Sequence, residues 1–286
     1  MNAAANADRV AAVVLNHKRA DDTIACVESL RGLNTPPGAI ELIDNASSDD
    51  SVARLRATLP DLPLTVNPRN LGFGGGQNEV IQRLMDDEFE WIWLLNNDAR
   101  AAPDTLEGLL KRARDKRVGA VGALLRDLEP PRGVQAVGGG HVIWWRGSSR
   151  EWRGERNRPL DYITGACMLL RAEALRQIGL FDPRFFMYWE DVDLCLRMRR
   201  AGWTLAVAED AVIFHRQSTS TDSTTKDRLI NASTTRFFRK HAPLGGWPAI
   251  LIGTAARIAR RLATGRPAHA RAVLQGVRDG LKNELP

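Results

Sequence analysis

Cysteine is scarce in this chain of 286 residues. The three present, Cys26, Cys167 and Cys195, are too few and too scattered for a disulfide framework or a Cys-x-x-Cys metal site, so they read as reduced thiols of a cytoplasmic protein. Long apolar runs are lacking too. No stretch reaches the roughly 18 apolar residues that span a bilayer, and the N-terminus has no basic stretch followed by an apolar run, as a signal peptide requires. No segment repeats. Lysine is rare, 6 against 34 arginines, a coding bias from which no function is read. With 44% hydrophobic and 26% charged residues, wholesale disorder, collagen and a polytopic membrane protein are excluded. The length fits one large domain or two small ones and is enough to bury a core without a disulfide or metal staple.

The net charge of +6 is unevenly spread. From Arg236 to the end, ten Lys or Arg face two acids, a net +8, which leaves the rest near −2. A near-neutral body with a basic tail points to an anionic surface beneath the tail, and not to a nucleic-acid groove through the body.

Apolar runs alternate with helical patterns. Residues 10–15, 39–43, 64–66, 91–95 and 118–121 read as strands, the first a β-branched run typical of a buried parallel strand. Asp21, Asp22 and Thr23 are expected to cap the first helix and Pro103 to open the one after the fourth strand. The alternation predicts a parallel, doubly wound α/β sheet, in which ligands bind beyond the carboxyl ends of the strands. Residues 126–160, with Trp144, Trp145 and Trp152, read as a long loop or small hairpin. Regular structure resumes at 163–170, with helices near 172–178 and 190–201, strands at 204–207 and 211–214, a mobile polar segment at 216–228 and helices in the tail.

Four motifs sit where such a sheet puts its ligands. Asp44-Asn45-Ala46-Ser47-Ser48-Asp49 follows the second strand. It suits an Asx-turn and helix cap, yet a carboxylate there also accepts the N3–H of uracil or thymine, without telling one from the other. Asn70-Leu71-Gly72-Phe73-Gly74-Gly75-Gly76-Gln77-Asn78 lies between a strand and a helix. It departs from the dinucleotide fingerprint, because the third glycine is Gln77 and the turn follows the third strand. Glycines still let a backbone approach a nucleotide closely. Asn96-Asn97-Asp98 ends the fourth strand, where one carboxylate, Asp98, suits a hard cation shared with phosphate oxygens. His215 ends another apolar run and offers a second ligand that Mn²⁺ tolerates. Trp189-Glu190-Asp191-Val192-Asp193 opens a helix with three acids in four positions, more than capping needs. Close like charges raise one another's pKa, which suits a general base.

The order and spacing of these blocks, with VVLNHKRADDTIACVESL before them, TGACMLLRAEALRQIGLFDPRFFMYWEDVDLCLRMRRAGW from Thr164 and then His215, resemble the family 2 glycosyltransferases. Within them the likeness is to bacterial rhamnosyltransferases of O-antigen and cell-wall assembly, over about residues 10–241. The resemblance implies a GT-A fold: a Rossmann-like, mostly parallel central sheet flanked by helices, with an acceptor-side subregion and a C-terminal helical tail. It divides the chain into a nucleotide-sugar-binding half (1–125), an acceptor-binding and catalytic half (126–241) and a basic amphipathic tail (242–286). Asp44 would hold the pyrimidine, with Asn16 and the turn of Asn70, Gly72 and Phe73 around the nucleoside; Asn78, Asn96 and Asn97 would complete the donor side. Asp98 and His215 would hold Mn²⁺ or Mg²⁺. Asp191 would be the base with Glu190 beside it, and Gly165, Ala166 and Trp189 would line the acceptor side. The motif carries Asn96 where the family's DxD has its first Asp.

The activity implied is an inverting, metal-dependent transfer, most of all of L-rhamnose from dTDP-β-L-rhamnose, to a glycan or polyprenyl-diphosphate-linked saccharide. A UDP-sugar transferase (galactofuranosyl, glucosyl or N-acetylhexosaminyl) and an inactive nucleotide-sugar-binding protein are the alternatives. In the tail, Trp247–Ile252 followed by Ala255, Ile258, Leu262 and Arg257, Arg260, Arg261 suits either a helix packed on the catalytic domain or one lying on anionic lipid at the cytoplasmic face. Trp144, Trp145 and Trp152 with Arg146, Arg150, Arg153 and Arg156 suit an acceptor-side flap or a surface hairpin.

Overall fold

The computed structural model describes residues 7–154, 159–216, 223–242 and 246–282. Its first half is the expected alternation: β1 (Val10–Asn16), α1 (Ala20–Arg31), β2 (Ala39–Asp44), α2 (Ser51–Thr58), β3 (Leu64–Val66), α3 (Asn78–Asp86), β4 (Trp91–Asn96), a short β5 (Ala99–Ala101), α4 (Thr105–Ala113) and β6 (Val118–Asp127). Then come β7 (Val134–Val137), β8 (Gly139–Ile143), a 3-10 turn at Trp144–Arg146, β9 (Ser148–Glu151), β10 (Tyr162–Ile163), β11 (Cys167–Arg171), α5 (Ala172–Ile178), α6 (Glu190–Arg200) and β12 (Thr204–His215). The tail is α7 (Ser223–His241), α8 (Trp247–Ala263) and α9 (Pro267–Lys282).

The main sheet runs β3-β2-β1-β4-β11-β6-β12-β5, with β7 beside β6. β3, β2, β1 and β4 are parallel. β11 inserts antiparallel between β4 and β6, a reversal that an apolar run alone does not announce. Along β1 the side chains alternate faces. Val10, Ala12 and Val14 join the core under α1, α2 and α4, with Val27, Leu30, Leu55 and Leu109. Ala11 and Val13 join the opposite core, with Ile81, Phe185, Leu194 and Phe237. Each fully buried large apolar side chain of this kind contributes about 1.5–3 kcal/mol relative to exposure.

Several local readings need correction. Helix α1 starts at Ala20 with Arg19 at the cap and no side-chain cap bond; Asp21 and Asp22 fall in the first turn. Pro103 precedes its helix, which begins at Thr105. The two runs at 204–207 and 211–214 are one strand, bulged between Ala208 and Val212. Residues 126–160 contribute to a separate three-stranded sheet, β10-β8-β9. Trp152 is buried in the core, 8% exposed, whereas Trp145 is 68% exposed, so the tryptophans do not act as one flap; Arg156 lies outside the described residues. Part of the segment read as mobile is helix α7, and residues 217–222 lie outside the described ones.

The tail packs. Ile250 on α8 and Ala270, Ala272 and Val273 on α9 are buried, and Asp227 of α7 ties the three helices, taking Arg261 in a two-point bridge and His269 at 2.8 Å. α8 also grips the β8–β9 turn: Arg257 donates to the Gly147 carbonyl at 3.0 Å, and a Cβ on Gly253 would come within 2.5 Å of the Arg146 carbonyl oxygen. The outer side of α8 leaves Trp247, Leu251, Ile252 and Leu262 exposed. Among the described residues no helix is long and apolar enough to cross a membrane.

Candidate active site

An open cleft of about 800 Å³ lies at the carboxyl edge of β1 and β4, between the main sheet, the three-stranded sheet and the N-terminus of α6. It is lined by Phe73, Asn96, Asn97, Asp98, Gly165, Ala166, Trp189, Glu190, Asp191 and His215 among the expected residues. His17, Lys18, Arg19, Glu151 and Tyr162 line it as well. The β1–α1 loop was legible as a strand end, but its basic residues were not singled out.

Asp98 and His215 meet because β5 pairs with β12, placing Ala99 against His215. His215 Nε2 lies 3.1 Å from Asp98 Oδ1, a buried oxygen with no hydrogen-bond partner. The Gln135 amide nitrogen donates to Asp127 and to the His215 carbonyl, both at 2.7 Å, so its oxygen accepts from His215 Nδ1 at 3.0 Å. That tautomer leaves Nε2 as a lone pair, approached also by the Asn96 amide at 3.3 Å. An unpartnered carboxylate oxygen and an imidazole lone pair directed at one point fit two ligands of a divalent cation whose other ligands are phosphate oxygens and water. Among the described residues no group of three or more His, Cys, Asp or Glu could hold a metal by itself.

Asp191 accepts the Gly165 N–H on one oxygen at 2.9 Å and the Val192 N–H on the other at 2.8 Å. Burial pushes its pKa up to about 6, against those two hydrogen bonds, and the charge of Glu151 pushes the same way. Glu190, with a buried unpartnered oxygen, is raised well above the usual range by burial and then by Asp191. The third acid does not join them. Asp193 turns away to Arg197, Lys240 and His241 and is held below the usual carboxylate range despite its burial. The expected mutual repulsion of three acids is thus corrected: desolvation, not crowding, is the main cause.

Tyr188 and Trp189, just before α6, both have φ +69°, a conformation that costs about 1–3 kcal/mol for each such residue. Tertiary contacts impose it. The Trp189 ring lies 4.6 Å from that of Phe237, and Ser233 donates to the Met187 carbonyl at 2.8 Å. Trp189 is therefore 7% exposed, with its ring committed to the aromatic cluster and little of it left for a sugar.

The ends of β1, β2 and β3 are joined by asparagines. Asp44 has no exposed surface and does not line the cleft. One oxygen accepts Asn16 Nδ2 at 2.7 Å, the other the Ser47 N–H at 2.8 Å. Asn16 in turn accepts from Thr23 at 2.8 Å, and Thr23 accepts from Asn97 at 3.0 Å. Asn45 and Asn67, which the sequence reading passed over, fix the Asn70 turn: Asn45 donates to Asn70 Oδ1 (2.9 Å) and the Gly72 carbonyl (3.0 Å) and accepts from Asn67 and the Leu71 N–H. Gly72 has φ +79°, and a Cβ there would fall 2.0 Å from the Phe186 carbonyl oxygen. The immediate need for that glycine is approach to the 181–186 segment, not to a nucleotide. Asn78 faces the same segment, both ends of its amide paired with the Phe181 backbone.

The three cysteines are buried and free, their thiols pushed up to about 12 mainly by burial, so none is a nucleophile.

A parallel half-sheet whose carboxyl edge carries a carboxylate–imidazole pair, facing a buried carboxylate on a helix N-terminus, is the arrangement of GT-A glycosyltransferases. Two solved structures share the fold. The mannosyltransferase PcManGT from Pyrobaculum calidifontis, in complex with GDP-Man and Mn²⁺, superposes with a TM-score of 0.64 at 17% identity, over 97% of this chain and 88% of that one. GalNAc-T7 with UDP, GalNAc and Mn²⁺ gives 0.66 at 12% identity, over 96% and 56%. The model of Glycosyltransferase like family 2 matches residues 7–236, and the chain belongs to that family. It is 31% identical over 244 residues to the N-acetylglucosaminyl-diphospho-decaprenol L-rhamnosyltransferase of Mycobacterium tuberculosis, covering 75% of this chain and 78% of the relative. It is 26% identical to the galactofuranosyltransferase GlfT1 of the same organism, over 73% and 70%.

Proposed function

We propose that this glycosyltransferase moves L-rhamnose from dTDP-β-L-rhamnose, with inversion, to a hydroxyl of a glycan or lipid-linked saccharide in the synthesis of bacterial cell-surface polysaccharide. The observation that carries the reading is that Asp191 and the Asp98–His215 pair open into one cleft. The rhamnosyltransferase relative supports the sugar. The galactofuranosyltransferase relative favours a second reading, transfer of galactofuranose from a UDP donor.

In the first reading the glycosidic C1–O bond to the diphosphate breaks as the acceptor oxygen bonds to C1 from the opposite face. The leaving diphosphate keeps the electron pair, and the acceptor's proton passes to Asp191. One displacement turns a β-linked donor into an α-L-rhamnoside. The Gly165 and Val192 N–H groups hold the Asp191 carboxylate in place, and a pKa near 6 keeps it ionised at neutral pH yet more basic than an ordinary carboxylate. Glu190 lies beside it, its proton held more tightly than an ordinary carboxyl's by burial and by the charge of Asp191. Lys18 and Arg19 line the cleft where the diphosphate would lie. A divalent cation at Asp98 and His215 would supply Lewis-acid stabilisation of the charge gathering on the leaving group. Base recognition by Asp44 requires the 45–49 loop to part, since that carboxylate is covered.

The outer face of α8 and the basic tail would rest on the anionic cytoplasmic face of the membrane, each basic residue near the surface adding about 1 kcal/mol. Thermal-shift screening of dTDP-rhamnose against UDP- and GDP-sugars, with and without Mn²⁺ or Mg²⁺, followed by transfer assays, tests the reading. A UDP-sugar that alone stabilises and transfers selects the second.

A further inference from the structure

A fourth carboxylate, besides Asp98, Glu190 and Asp191, lines the cleft. Ser149 and Glu151 of β9 both line it, as residues two apart on one strand face must. The Glu151 carboxylate makes no side-chain hydrogen bond or ion pair among the described residues, the charges of Arg153 and His215 acting on it only from further off. The reason lies across the strand. Glu151 sits opposite Gly140, so no side chain stands on the facing position to take it. A Cβ on Gly140 would come within 2.1 Å of the Arg150 carbonyl oxygen, so that glycine is fixed by the packing.

The strand is nevertheless rigid. The next residue, Trp152, is buried and pinned by backbone bonds to Val137 at 2.7 Å and Gly139 at 2.8 Å. Beyond its other end, the Gly147 carbonyl is held by Arg257 of α8. A solvent-accessible carboxylate on a pinned strand, sharing a cleft with Asp191, is free to take donors from a ligand. Carboxylates accept only, and sugar hydroxyls are neutral donors. The like charges of Glu151 and Asp191 disfavour a phosphate at this end.

We propose that Glu151 is an acceptor-binding residue: its carboxylate accepts hydrogen bonds from two hydroxyls of a neutral acceptor sugar and so seats a neighbouring hydroxyl at Asp191. The inference rests on the transferase reading and adds the acceptor's chemistry, a polyol here with any diphosphate kept beyond the carboxylates. Calorimetric binding of a synthetic short-prenyl N-acetylglucosaminyl diphosphate, with dTDP present, tests it in Glu151→Ala and Glu151→Gln. We expect roughly 10–100-fold weaker binding for Ala and a smaller loss for Gln, which keeps one acceptor oxygen. The Tm rise with dTDP alone should not move. Equal acceptor affinity in the Ala variant, an equal loss of dTDP binding, or no acceptor binding by the unaltered protein overturns the proposal. Acceptor binding that depends on Glu151 in a protein that transfers no sugar upholds it and sinks the transferase reading instead.

Discussion

Asn97 and Asp44 stand at the two ends of one buried hydrogen-bonded chain, which passes from Asn97 through Thr23 and Asn16 to the Asp44 carboxylate. The residue beside Asp98 is thereby fixed to the end of β2. Thr23→Val removes the central hydroxyl and leaves buried amide groups unpaired, at about 1–3 kcal/mol. Donor affinity should fall roughly tenfold or more while the fold persists, as isothermal titration with dTDP and circular dichroism would record.

Asp191→Asn keeps the shape and loses the proton acceptor. Transfer should drop by about 10²–10⁴-fold, the range for a positioned base, with the nucleotide-dependent Tm rise nearly unchanged. An Asn variant with ordinary turnover removes Asp191 from the mechanism.

The pH profile follows from burial. Asp191 must be ionised to act, and its pKa is about 6, so kcat/KM should fall as pH drops below about 6. Both Asp191 and Glu190 bind their protons more tightly folded than unfolded, so they favour the fold at low pH, and that contribution fades as pH rises through the unfolded value and towards the folded one. Glu190→Gln should therefore raise Tm at pH 7–8 and have little effect near pH 4. A lower Tm at pH 8 would show that the charge is paid for elsewhere.

Chelation tests the Asp98–His215 pair. EDTA should abolish transfer, and added Mn²⁺ should restore it. Gln135→Leu frees Nδ1 of His215 without touching the pair, and should raise the Mn²⁺ concentration needed for half-maximal transfer by about 10–100-fold, the usual cost of losing such a support.

Deleting the tail would strip Asp227 of α7 of its Arg261 and His269 partners, so membrane docking is better tested by point changes. Leu251→Glu with Ile252→Glu alters only exposed positions, 65% and 47% accessible. Flotation with anionic vesicles should be lost and Tm kept; flotation as before would leave the tail a packing element.

The alternating half of the fold was legible because β-branched runs separated by amphipathic ones leave little choice, and polar residues at strand ends marked the cleft. The placement of β11 was not legible, since Cys167–Arg171 carries no sign of its direction. Asp193 looked like its neighbours until α7 supplied Lys240 and His241 as partners. Asn45 and Asn67 were hidden for the opposite reason: a loop asparagine reads as a turn residue, and only the closed turn at Asn70 reveals four bonds meeting on one amide. Glu151 lay in a stretch without a periodic pattern, and only the pairing of β8 with β9 shows that Gly140 faces it.

The contact between Gly72 and the Phe186 carbonyl makes a seam between the turn after β3 and the segment that leads into α6. Neither side is an interchangeable module. A chimera that borrows only the loop after β3, or only the stretch before α6, inherits half of a joint, so the two pieces have to travel together.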